Sequence, residues 1–201
     1  MTAEQLMTRN LVAVAETTRL LDRTLARLQN SDCLMRDSDW KVAFSDIRMT
    51  REQRLESHGG TAALSYVLHL AIDITEADFG NIQLFDRAEG GLRIAASQGF
   101  DSEFLDYFAV VRGSESACGV AKQQGCRVVV PDVRNALCFD VESREIVLRA
   151  GVLSVQSTPL ISPSGRVLGM LSTHRRLPGK PPLASLALLD RLARRTAKLL
   201  E

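Results

Sequence analysis

Apolar residues recur at heptad spacing near the start of the chain: Met7, Val14, Leu21 and Leu28 form one row, and Leu11, Thr18 and Leu25 a second. Rows at this spacing are the a and d positions of a coiled coil. Glu16, Arg19, Asp22, Arg23 and Arg27 lie off the seam, where a solvated face belongs, while Thr18 weakens it. So short a seam also suits a helix packed on its own domain. Residues 1–30 are therefore read as a helical arm for dimerisation or signalling, with that alternative open. Residues 31–59 mix Asp, Ser, Arg and Met around Trp40 and are read as a linker, ended by "HGG" at His58–Gly60.

Past the glycines, "TAALSYVLHLAIDITEADFG" gathers Leu64, Val67, Leu68, Ala71 and Ile72 on one face, which predicts an amphipathic helix capped by Thr61. From Phe79 the period shortens to that of a strand. "FGNIQLFD", a turn at Glu89–Gly91 and "LRIAASQG" predict a hairpin. "DSEFLDYFAVV" predicts a short helix starting at Asp101, and "SACGVAKQQG" another that ends at Gly125. "RVVV" is a strand cut by Pro131, and a loop with Cys138 leads to a helical "SREIVLRAG". Strands "SVQSTPLIS" and "GRVLGMLSTH" follow, joined by "PSG". An amphipathic helix from about Pro182 to Leu200 repeats Leu186, Ala193 and Leu200 at heptad spacing, with Leu189 and Thr196 between. This order describes an α+β fold, an antiparallel sheet with helices segregated onto its faces.

Composition narrows the partners. The 201 residues, 45% hydrophobic and 24% charged, suit one core plus an appended arm. Lys and Arg (25) balance Asp and Glu (24), so no broad electrostatic footprint for nucleic acid or an anionic membrane exists. The N-terminus has charges every few residues and no unbroken apolar run, so it reads as neither a signal nor a transit peptide. The longest apolar stretch, Tyr66–Ile72, is broken by His69 and too short to span a bilayer. A cytoplasmic protein is expected, with Cys33, Cys118, Cys126 and Cys138 as free thiols, since their spacing includes no C-x-x-C. No metal ligand set is expected either, because His58 and His69 lack ligand-spaced partners.

Taken together, "ADFGNIQLFD", "LRIAASQGF", "SACGVA", "RVVVPDV", "AGVLSVQSTPLISPSGRVLGMLSTH" and the last helix resemble the GAF domain, in the version common in bacterial sensor kinases. The resemblance runs over residues 60–201. It implies a small-molecule or redox sensing module with a pocket where the short helices cover the sheet. The first and last helices, usually with a dimer contact, would lie on the opposite face. It further implies a histidine kinase or other output module as partner, in cis or in trans. Ligands of the family include cyclic nucleotides, haem and bilins, so the cofactor stays unknown.

Strand alternation supplies the site candidates. Asn81 and Gln83 share one face of their strand, and Met170, Ser172 and His174 alternate with Gly169, Leu171 and Thr173. Gln156 and Thr158 are read as continuing the polar face, and Cys118 as a small buried residue at the start of a pocket helix. Such amides, hydroxyls and one imidazole suit a pocket for a polar ligand; equally, the face can be simply hydrated. His174 with Arg175 and Arg176 behind it offers a haem reading, against which a lone histidine is more often a hydrogen-bonded residue. The Cys-His pair of bilin-binding relatives is absent.

Free methionine-R-sulfoxide reductases share the fold, and the chain is similar to them at Cys118-Gly119, Pro131-Asp132-Val133, Cys138 and "EIVL" from Glu145. Those enzymes carry aspartates on the last strand, where this chain has Ser172, Thr173 and His174. Thiol reduction of a sulfoxide needs acids that protonate the departing oxygen. No catalytic residue is therefore assigned, and a non-enzymatic homodimeric sensor is expected. The reductase and a ligand-free dimerisation scaffold are the alternatives. Any output module would follow the helix ending at Leu200 or act in trans.

Overall fold

The structure, a computed structural model, describes residues 58–200. The expected arm and nearly all of the expected linker lie outside the described residues. Helix α1 spans His58–Thr75, followed by strands β1 (Phe79–Asp86) and β2 (Gly91–Gln98). Helix α2 (Ser102–Tyr107), β3 (Val110–Val111), α3 (Ala117–Gln124) and β4 (Val128–Val130) come next. A short 3-10 turn (Val133–Asn135), α4 (Val141–Arg149), β5 (Ser154–Ile161), β6 (Val167–Arg175) and α5 (Leu183–Leu200) complete the order. The six strands form one antiparallel sheet in the order β3-β2-β1-β6-β5-β4.

Local chemistry sets most of these boundaries. The Asp86 carboxylate accepts from Ala88 N at 2.8 Å and Glu89 N at 3.2 Å, so the β1–β2 turn runs from Arg87 to Gly90, ahead of its expected place. Asp101 caps α2 through Phe104 N, and Ser116 caps α3 through Gly119 N. Gly125 ends α3 in the left-handed region at φ 63°, as its position predicts. Two expectations fail. The chain is already helical at His58, so Thr61 does not cap α1. "DSEFLDYFAVV" is also not all helical, because Val110 and Val111 pair with Arg93 and Leu92 on the open edge of β2. An unpaired sheet edge and two β-branched residues outweigh the helical pattern there.

α1 and α5 cover one face of the sheet, and α3 packs on the other against β4, β5 and β6. Leu64, Val67, Leu68, Ala71 and Ile72 of α1 are all buried, as their periodicity predicts. In α5 the heptad residues Leu189, Ala193, Thr196 and Leu200 are buried as well, and the helix packs on β5, β6 and α1. The seam read from α5 is thus spent inside the domain. Its outer face carries Arg191, Arg194 and Lys198.

A buried chain of hydrogen bonds runs between these helices and the sheet. Arg127 donates to Asp190 and to the Leu186 carbonyl (2.9 Å) on α5, and to Thr158 Oγ1 (3.0 Å) on β5. Thr158 donates to Gln156 Oε1 at 2.8 Å, and Gln156 Nε2 to Thr173 Oγ1 at 3.2 Å. Thr75 on α1 closes the series, 3.1 Å from Thr173 and 2.7 Å from the Ala71 carbonyl. Every polar group in it is satisfied by another, which is the condition for burying such a chain.

Candidate functional site

On the other face the sheet and the short helices line a partly open cavity of about 20 Å³. Register builds its floor: Asn81 stands opposite Ser172, and Ser172 opposite Ser157, so β1, β6 and β5 each point a polar side chain the same way. Gln83 and His174 extend this floor at either side. The roof comes from Ser116, Ala117 and Cys118 at the N-terminus of α3, with Phe104, Phe108, Phe139 and Val147 around them.

The polar groups fall into two sets. Ser157 and Ser172 hydroxyls pair at 2.8 Å, and Ser116 Oγ lies 3.2 Å from Cys118 Sγ. By contrast Asn81 Oδ1, both polar atoms of the Gln83 amide and His174 Nδ1 are buried with no hydrogen-bond partner among the described residues. Their residues are 4%, 0% and 6% exposed. Leaving such atoms unpaired costs roughly 1–3 kcal/mol each. A fold tolerates that cost mainly where function requires it.

His174 sits edge-on to Phe100 and Phe104, with ring centroids 5.0 and 6.0 Å away. Burial lowers its pKa to about 3, so the imidazole is neutral near pH 7. Burial also raises the Cys118 thiol above its ordinary value, and the Ser116 hydrogen bond only partly opposes this. Gln83 faces that thiol closely enough to favour the thiolate weakly, without reaching hydrogen-bond geometry. No Asp, Glu, Lys or Arg among the described residues lines the cavity. Among the described residues no cluster of His, Cys, Asp or Glu could hold a metal ion.

The structure brings together Asn81, Gln83, Cys118, Ser172 and His174. Gln156 and Thr158 are not with them: they face α5 and belong to the Arg127 chain. Their strand "SVQSTPLIS" carries polar residues at both parities, so its own pattern does not say which set faces the cavity. The pairing of Ser157 with Ser172 decides it. Ser116, Ser157 and the three phenylalanines escaped the sequence reading. Only the capping position of Ser116 carried a local signal.

Haem does not fit. The cavity is far smaller than a porphyrin, and Arg176 is engaged over the Phe79 ring at 4.4 Å. The remaining thiols are also placed: Cys126 is exposed, while Cys138 is half-buried and outside the cavity lining. Burial raises the Cys138 thiol more than the nearby Arg144 charge lowers it. Arg144 itself holds the loop through the Ala136 carbonyl at 2.7 Å and the Phe139 carbonyl at 3.1 Å.

A family model described as GAF domain matches residues 61–201. Among solved structures the chain is similar to a domain ascribed to a two-component sensor histidine kinase of Sinorhizobium meliloti 1021. That pair is 22% identical with TM-score 0.57, covering 68% of this chain and 86% of that one. The GAF domain region of a membrane protein from Geobacter sulfurreducens PCA is 22% identical, with TM-score 0.59 over 70% of this chain and 91% of that one. Free methionine-R-sulfoxide reductase from Neisseria meningitidis, solved with its substrate, is 19% identical, with TM-score 0.58 over 78% and 89%. At such identities the likeness is one of fold. No curated protein sequence matches the chain. Among the described residues, no helix is long and apolar enough to cross a membrane.

Proposed function

The chain belongs to the GAF domain family, and on that premise we propose that it is a small-molecule sensing module of bacterial signal transduction, with the cavity as its ligand site. The unpartnered polar atoms of Asn81, Gln83 and His174, three residues that line one cavity, carry this reading. A domain kept only as scaffold has no use for them. Ligand-dependent signalling follows from the connection of α3 to α5. Cys118 lies in the cavity wall on α3, and Arg127, just past the end of that helix, grips Leu186 and Asp190 of α5. A ligand that shifts α3 shifts Arg127, and with it the register of α5 on the sheet. The proposal includes a homodimer through the heptads of Met7–Leu28 and an output partner such as a histidine kinase.

Native mass spectrometry with an absorbance spectrum, followed by a thermal-shift screen of neutral and charged metabolites, tests the reading. A retained adduct, or a compound that raises Tm and slows hydrogen exchange in residues 183–200, supports it. A protein whose stability no compound raises is a scaffold. The similarity to a methionine sulfoxide reductase favours a second reading, thiol catalysis. Both the raised thiol of Cys118 and the cavity without carboxylates speak against it. Turnover of free methionine-R-sulfoxide that is lost in Cys138→Ser would establish it instead.

A further inference from the structure

The cavity also indicates what kind of molecule it takes. Two acceptors, Asn81 Oδ1 and Gln83 Oε1, and one donor group, Gln83 Nε2, await partners in a space that, among the described residues, no charged side chain lines. Phosphate or carboxylate would find no cation there, and an ammonium no carboxylate. Burying either ion without a counter-charge is strongly unfavourable. A neutral group with two N–H donors beside a carbonyl acceptor satisfies the three amide atoms, while His174 Nδ1, the fourth unpartnered atom, lies at the other side of the floor. The cavity of about 20 Å³ has room for one to two waters, so it accepts a head group of a few heavy atoms rather than a nucleotide or tetrapyrrole. The hydroxyls of Ser157 and Ser172 already satisfy each other, and Phe104, Phe108 and Phe139 make the surrounding wall apolar.

We infer that the site binds a small uncharged primary carboxamide group, its two N–H groups donating to Asn81 Oδ1 and Gln83 Oε1 and its carbonyl accepting from Gln83 Nε2. The inference rests on the reading of the cavity as a ligand site. It also explains why an amide, rather than an arginine or a carboxylate, occupies position 83. An amide both donates and accepts, and pairs reciprocally with another amide.

Acetamide, acetate and acetamidinium share one heavy-atom shape and differ in charge, so they separate the alternatives. Each is titrated into the full-length protein while the side-chain amide signals of Asn81 and Gln83 are followed by NMR. These signals are identified by their loss in Asn81→Leu and Gln83→Leu. Acetamide is expected to shift both saturably, at least tenfold more tightly than either ion, with the Asn81 response weakened tenfold or more in Gln83→Leu. Equal or tighter binding of acetate or acetamidinium at the same signals overturns the carboxamide inference and leaves the ligand-site reading intact. If no probe moves these signals, and a wider set of neutral and charged fragments does not either, the ligand-site reading falls and the inference with it.

Discussion

His174 is neutral because its ring is buried among phenylalanines, and this makes stability depend on pH in a defined direction. Its folded-state pKa of about 3 lies below the ordinary 6.5, so on acidification the unfolded chain takes up the proton first. The stability carried by the neutral ring is complete above about pH 6.5 and is lost as the pH falls towards the folded value, at about 1.4 kcal/mol per pH unit. Urea unfolding at pH 7.5 and pH 5 should show a loss about 2 kcal/mol larger in the wild type than in His174→Gln. Gln83→Leu is expected to stabilise the ligand-free protein by about 1–2 kcal/mol, because it removes an amide with no partner. A destabilised Gln83→Leu would mean that the amide is held by interactions within the fold. The half-buried Cys118, its thiol held above the ordinary range, should react with a thiol reagent more slowly than the exposed Cys126, on the order of tenfold, in single-cysteine variants.

Between elements, the contacts that position the site are few and specific. A Cβ on Gly169 would overlap the carbonyl oxygen of Gln83 across the β1–β6 pair. Gly169→Ala is therefore expected to cost about 3 kcal/mol or more in unfolding free energy and to displace the cavity floor. Arg127 joins the loop after α3 to β5 and α5, with only 17% of its side chain exposed. Arg127→Ala leaves Thr158 and the Leu186 carbonyl without their donor and should cost about 1–3 kcal/mol. In hydrogen exchange it should speed the amides of residues 183–200 while those of β1 and β2 hold their protection. Uniform loss of protection would show that Arg127 supports the fold generally rather than coupling α3 to α5.

For the whole molecule, the burial of Leu189, Ala193, Thr196 and Leu200 within the domain redirects the question of assembly. A helix cannot use one apolar face twice, so a dimer contact on α5 would have to involve its basic outer face of Arg191, Arg194 and Lys198. The heptads of Met7–Leu28 are the better proposal. Leu21→Glu with Leu28→Glu should convert a dimer into a monomer in sedimentation, with unfolding of the domain unchanged. A dimer that survives both substitutions puts the contact elsewhere.

Much of this was legible along the chain. The caps at Asp101 and Gly125, the α1 face from Leu64 to Ile72, the β1–β2 hairpin and the shared side of Asn81 and Gln83 all follow from local rules. Backbone sterics and strand or helix periodicity act over a few residues, so those few residues suffice to express them. Other features depend on a partner distant in sequence. The open edge of β2 turned Val110 and Val111 into a strand. Pairing with Ser172 sent Ser157, and not Gln156 or Thr158, into the cavity. Packing on β5, β6 and α1 used the seam of α5 that periodicity alone leaves free for another chain. Periodicity states that a face is apolar or polar; which neighbour covers that face is set by long-range pairing, and no window of local sequence contains it.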